Sequence, residues 1–164
     1  MENMQVFCKF DAMANVAELK PNPRNRNTHP DDQIDRLARL LATWGIRAPI
    51  IVSKLSDCIV KGHGTLLAIK ANGWLTAPVV YQDFKSADEE YAFLQSDNAI
   101  AAWAELDLSG INNDLADLGP DFDLDLLGIK NFTIDPPGDV EIDEKELDEN
   151  LETHQECPSC GYKY

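Results

Sequence analysis

No stretch of this 164-residue sequence comes near the roughly 18 consecutive apolar residues of a membrane span, so no transmembrane helix is expected. The opening residues, MENMQVFCKFDAM, have no basic segment leading into a long apolar one, which argues against a secretory signal. Cysteine is scarce. Cys8, Cys58, Cys157 and Cys160 are too few for a dense disulfide framework, and a reduced, cytoplasmic setting is expected. Bases are half as common as acids, 14 against 29, for a net charge of -15. That balance excludes a surface that coats polyanions or anionic membranes indiscriminately. No Gly-Lys-Ser/Thr closes a Walker loop, and the three spaced glycines of a dinucleotide fingerprint are missing.

What is present is enough apolar sequence, 44%, to bury a core. The charge is unevenly spread. Residues 1–82 hold 7 acids and 10 bases, net +3; residues 83–134 are net -10 and residues 135–164 net -8. A nucleotide or nucleic-acid site therefore belongs in the first half. Residues 13–20 read as a strand running into Pro21-Asn22-Pro23, a turn. A helix starts near Pro30, with Thr28 as candidate N-cap and Asp31 and Asp32 at its positive end. Ile34, Leu37, Leu40 and Leu41 form its apolar face, and Gly45 is a candidate left-handed cap.

Short strands are expected at residues 49–52, 58–60 and 77–81. Between the last two lies a helix, residues 66–71, closed by Asn72-Gly73. A further helix starts at Ser86, whose hydroxyl and Glu89 form a capping box, and runs to about Trp103. Residues 106–129 read as one or two short helices, with Leu115, Leu118, Phe122, Leu124, Leu126 and Leu127 as buried candidates. The fold class is α/β (α+β): a small mixed sheet with packed helices plus a helical extension. Pro136-Pro137-Gly138 and the acids of residues 141–152 read as a solvated linker or tail.

The most informative local pattern is Ile59-Val60-Lys61-Gly62-His63-Gly64-Thr65. A strand turning through glycines into a helix presents free amides and the positive end of a helix dipole, which suit a phosphate. Lys61, His63 and Thr65 add charge and donors. The competing reading is a tight strand–helix turn in which His63 hydrogen-bonds to backbone.

In order, these motifs are Pro-Asn-Pro-Arg, an amphipathic helix ending Trp-Gly-Ile, Pro-Ile-Ile-Val, Ile-Val-Lys-Gly-His-Gly and Ala-Pro-Val-Val. Across about residues 15–82 the series resembles the ParB/sulfiredoxin-like superfamily. Residues 96–101, Ser-Asp-Asn-Ala-Ile-Ala, and 121–128, Asp-Phe-Asp-Leu-Asp-Leu-Leu-Gly, resemble segments that follow this domain in phage and prophage DNA-modification methyltransferases.

Resemblance and charge together divide the chain into three regions: a ParB-like N-terminal domain over 1–82, an acidic helical extension over 83–134 and an acidic tail over 135–164. The resemblance implies CTP or ATP with Mg2+ as candidate ligands, and the host cytoplasm if the chain is phage-encoded. The partition proteins carry Gly-Glu-Arg-Arg-x-Arg where this chain has Gly62-His63-Gly64-Thr65-Leu66-Leu67. Every arginine is absent, which weighs against ParB-type CTP hydrolysis. Sulfiredoxin's cysteine is His63 here, which weighs against sulfinic-acid reduction. Asp135-Pro136-Pro137-Gly138 lacks the aromatic that stacks on a flipped base, so the chain is not itself a methyltransferase.

Arg24, Arg26 and Arg47 are candidate contacts to DNA phosphates. In the family the Pro-Arg loop lies near the glycine loop, so Arg24 and Asn25 are expected to complete one pocket with Lys61, Gly62, His63, Gly64 and Thr65. At the far end, Cys157-Pro-Ser-Cys160-Gly resembles half of a zinc ribbon, with His154 a third ligand and Cys8 or Cys58 a possible fourth. Three functions compete. The first is a nucleotide- or DNA-binding module accessory to DNA modification or partition. The second is an NTP-dependent kinase, hydrolase or nuclease with His63 as acid or base. The third is an acidic protein-interaction module with a basic partner.

Overall fold

The computed structural model describes residues 4–118 and 121–129. The chain divides into two units, Met1–Phe132 and Thr133–Tyr164, and the second lies outside the described residues. No helix among the described residues is long and apolar enough to cross a membrane.

β-branched residues dominate the two inner strands of a four-stranded mixed sheet, as a half-buried pleated surface favours. The strands are β1 (Ala12–Asn15), β2 (Ile50–Ser53), β3 (Ile59–Lys61) and β4 (Thr76–Gln82), in spatial order β1-β4-β2-β3. β2 and β3 form an antiparallel hairpin. β2 runs parallel to β4 with Ile50 beside Val79, and β1 is antiparallel to β4 with Ala12 opposite Val79. Alternate residues Ile50, Val52, Ala77 and Val79 point into one core with Val16, Ile46, Ile59, Leu66 and Ile69.

Helices α1 (Asp31–Trp44) and α2 (His63–Ala71) pack on each other. Asn72 at the end of α2 donates its side-chain amide to the Ala38 carbonyl in α1 (2.9 Å). Helix α3 (Ala87–Ala101) packs against β3. It starts as expected: Ser86 Oγ accepts the Glu89 amide at 3.1 Å. The return bond of the capping box goes one residue further out, from the Lys85 amide to Glu89 Oε2 (2.6 Å).

Several expected boundaries move. The first strand ends at Asn15 because its side-chain carbonyl takes the Ala17 amide (3.0 Å) and turns the chain. Pro30, not Thr28, is the N-cap of α1, and no side chain caps that end. Gly45 has a positive φ of 71°, but its ψ of 173° is extended rather than left-handed helical. The chain therefore leaves α1 straight, and Ile46 bonds across to Gln5 and Phe7. Helix α2 starts at His63, three residues before the expected start.

Beyond α3 come α4 (Leu108–Asp114) and two 3₁₀ turns, Leu115–Asp117 and Leu124–Leu127. Of the leucines expected to be buried here, Leu118 is 51% exposed and the others are half-buried. Polar ties do the holding instead. Arg39 pairs with Asp125 (2.6 Å), and Arg36 donates to the Ile129 carbonyl (2.6 Å).

Candidate functional site

Gly62 carries the turn from β3 into α2. Its φ of 96° and ψ of 27° are left-handed, a conformation glycine adopts without a Cβ penalty. A Cβ there would lie 3.2 Å from Ile50 Cγ1, a tight contact that adds to the dihedral preference for glycine. The Gly62 carbonyl accepts the Leu66 amide (2.9 Å). Helical geometry leaves the amides of His63, Gly64 and Thr65 without intrahelical partners at the positive end of α2.

These residues border a cavity of about 210 Å³. Asn25, Lys61, Gly62, His63, Gly64 and Thr65 all line it, so six of the seven residues expected to share one pocket come together. Arg24 does not line it. Its guanidinium lies over the Tyr91 ring, 4.0 Å from the centroid, and its carbonyl accepts from Gln95 Nε2 (2.9 Å). Arg26 is exposed. Arg47 is engaged elsewhere: its guanidinium covers the Phe7 ring (4.8 Å) and its Nε donates to the Trp44 carbonyl (3.1 Å).

Sequence reasoning passed over four polar wall residues, Asn27, His29, Asp97 and Asn98. Asp97 and Asn98 reach the cavity from α3, and His29 from the approach to α1. Lys61 Nζ is 2.6 Å from Asp97 Oδ1, so the lysine's charge is already matched. His29 lies against Gly64, where a Cβ would sit 3.1 Å from its Cε1. A signal for it existed. Glycine inside a helix costs about 1 kcal/mol relative to alanine, and Gly64 in the first turn of α2 marks a close approach.

His63 Nε2 accepts the backbone amide of Asn22 at 3.2 Å. The backbone bond foreseen in the competing reading is therefore made, and it is made across to the Pro-Asn-Pro loop. A backbone N–H can only donate, so Nε2 carries no proton and the ring is neutral with Nδ1–H. Burial, and then the charge of nearby His29, pushes the His63 pKa below its usual 6.5. Protons are thus bound more readily when the chain is unfolded. Stability is full above pH 6.5 and falls as pH drops from there towards the folded-state pKa. Urea midpoints measured stepwise below pH 6.5 should fall less steeply in His63→Gln than in wild type. An identical slope in the two proteins would refute this account of the histidine.

Another cavity, about 430 Å³, lies between α1 and the segment at Gly128; it shares Leu37 with the first but none of the glycine-turn residues. His154, Cys157 and Cys160 lie outside the described residues. Among the described residues no group of three or more His, Cys, Asp or Glu is placed to hold a metal, and Cys8 and Cys58 are free thiols.

No protein-family model matches the chain, and no curated protein matches it. Solved structures do. The C-terminally truncated chromosome-partitioning protein ParB from Caulobacter crescentus, in complex with CTP-gamma-S, superposes with a TM-score of 0.56 and 20% identity. The fold is ParB N-terminal-like. The match covers 65% of this chain and 61% of that one, so this chain spans less than two thirds of its ParB neighbour. A Pnob8-like ParB-N domain aligns with a TM-score of 0.46 and 16% identity, over 67% of this chain and 47% of that one. Within the ParB-like fold, the β3–Gly62–α2 turn, Leu37 of α1 and Asp97 and Asn98 of α3 all line this cavity.

Proposed function

We propose that this chain is a ParB-like nucleotide-binding module that seats phosphate groups on the Gly62–Thr65 turn. One observation carries the reading: a left-handed glycine opens α2 so that the first three residues of the helix, whose amides lack intrahelical partners, line a cavity shared with Lys61 and Asn25. The cavity's 210 Å³ is smaller than the roughly 300–1,000 Å³ of pockets that enclose a whole ligand. It suits the phosphate end of a nucleotide, with sugar and base lying outside. The similar ParB structure is a complex with CTP-gamma-S, which favours CTP as the first ligand to try.

The same geometry favours binding over acid–base catalysis by His63, because its Nε2 lone pair is taken by the Asn22 amide. Arg26 is the base nearest the cavity in sequence that makes no carboxylate or aromatic contact, and it is the DNA contact we assign to this loop. In the setting implied by the sequence resemblance, the module serves DNA modification or partition as an accessory. Mg2+ would accompany the nucleotide. Asp97, which lines the cavity, is held by Lys61.

Titration calorimetry of the full chain with CTP and ATP, each with Mg2+, and with duplex DNA at low salt tests the reading. Saturable heat with a nucleoside triphosphate, reduced when inorganic phosphate competes, is expected. Absence of heat with both nucleotides refutes the phosphate site.

A further inference from the structure

Three of the least exposed polar side chains lie behind the glycine turn, one after another. Asn22 is 8% exposed, Ser53 0% and Glu90 7%. They come from the Pro-Asn-Pro loop, the end of β2 and the first turn of α3. The direction of each hydrogen bond follows from what each group can donate. The amides of Leu55 and Ser56 donate to Ser53 Oγ (3.1 and 3.4 Å). Ser53 Oγ–H therefore points onward, to Glu90 Oε2 (2.5 Å). The amide of Arg24 donates to Asn22 Oδ1 (2.9 Å), which fixes the side-chain orientation of Asn22. Asn22 Nδ2 donates to Glu90 Oε1 (3.4 Å), and the Asn22 backbone amide donates to His63 Nε2 (3.2 Å).

Every bond in this series has one permitted direction. Glu90 must accept on both oxygens, from a hydroxyl on one side and an amide on the other. A glutamine at 90 fails in either orientation, because its NH2 would face Ser53 O–H or Asn22 NH2. Neither neighbour can turn, since the backbone amides of residues 24, 55 and 56 already hold their acceptor atoms.

We propose that Glu90 is a positioning residue for the glycine-turn site. Through Asn22 it presses the Pro21–Pro23 turn onto His63 and fixes the ring as the Nδ1–H tautomer. His63 then offers the cavity a neutral hydrogen-bond donor in a set direction, without an added positive charge. The consequence for ligand binding rests on the phosphate-site reading above; the consequence for the tautomer does not.

The test is a pair of exchanges and their combination. Glu90→Gln and Asn22→Asp each put like groups face to face. The double variant restores the pattern: an aspartate at 22 keeps an acceptor for the Arg24 amide and takes the glutamine NH2, while the glutamine carbonyl takes the Ser53 hydroxyl. Long-range 1H–15N NMR reports the His63 tautomer, and calorimetry reports CTP affinity. Both single variants should show mixed His63 tautomers and at least about fivefold weaker CTP binding, the worth of one hydrogen bond. The double variant should recover the Nδ1–H signature and most of the affinity.

A Glu90→Gln protein whose His63 signals match wild type overturns the proposal. So does a double variant no better than the singles. Should a single variant fail to fold, a folded double variant with wild-type His63 signals supports the proposal, and a double variant that fails with it overturns it. If wild type binds neither CTP nor ATP, the phosphate reading falls, while the NMR comparison still decides the role of Glu90.

Discussion

Gly62→Ala should lose roughly 2–3 kcal/mol of stability and leave no measurable CTP binding. Two costs combine. An alanine held in the left-handed region costs about 1–2 kcal/mol, and the new Cβ would press on Ile50 from 3.2 Å. The tight contact is with Cγ1 of Ile50, a fully buried side chain on an inner strand of the sheet, which would have to give by a few tenths of an ångström. Relief would come from swinging the start of α2, and that motion carries the His63, Gly64 and Thr65 amides away from the position in which they converge. Thermal melts followed by circular dichroism should show a drop of roughly 4–12 °C. An unchanged melting temperature would show that the positive φ of Gly62 is not imposed by its surroundings.

The second large effect lies directly beneath. Ile50 is fully buried and belongs to the central core cluster. Ile50→Ala should cost about 2–5 kcal/mol, the range for emptying a well-packed site that cannot collapse. Against a total stability on the order of 5–15 kcal/mol, that loss is large enough to move the unfolding midpoint well down. The two substitutions should not be additive, because Ile50→Ala removes the Cγ1 atom that the new Cβ at position 62 meets first. Placed on the Ile50→Ala background, Gly62→Ala should cost less than it does alone. Urea denaturation of the four proteins measures this. Strict additivity would mean that the turn and the strand do not press on one another.

The turn was legible because its chemistry is local. Glycine at the end of a β-branched run, followed by a residue that starts a helix, has few alternative meanings, and Ser86 with Glu89 is similarly self-contained. Glu90 was not legible. Period-3.6 reasoning assigns burial to apolar residues and solvent to acids, and Glu90 stands in a run of three acids that otherwise suit the start of a helix. Only the fold shows that this acid points at Asn22 and Ser53, residues remote from it in sequence. His29 was missed for a related reason, since its proximity to Gly64 is a contact between separate elements. Two of the arginines show the opposite case. A basic residue in a loop reads as a phosphate contact, whereas Arg24 and Arg47 spend their guanidinium faces on Tyr91 and Phe7.

The parallel pairing of β2 with β4 has a further consequence for how the chain comes together. Two parallel neighbours cannot be joined by a tight turn, and here the connection between them runs through β3, Gly62 and α2. The entropy of closing that excursion is spent before the first β2–β4 bond can form. The glycine turn therefore belongs to the slow, non-local step of folding rather than to a lid laid over a finished scaffold. The turn follows the edge strand β3 yet sits against Ile50 of the inner strand β2, so its geometry is set only once that excursion has closed.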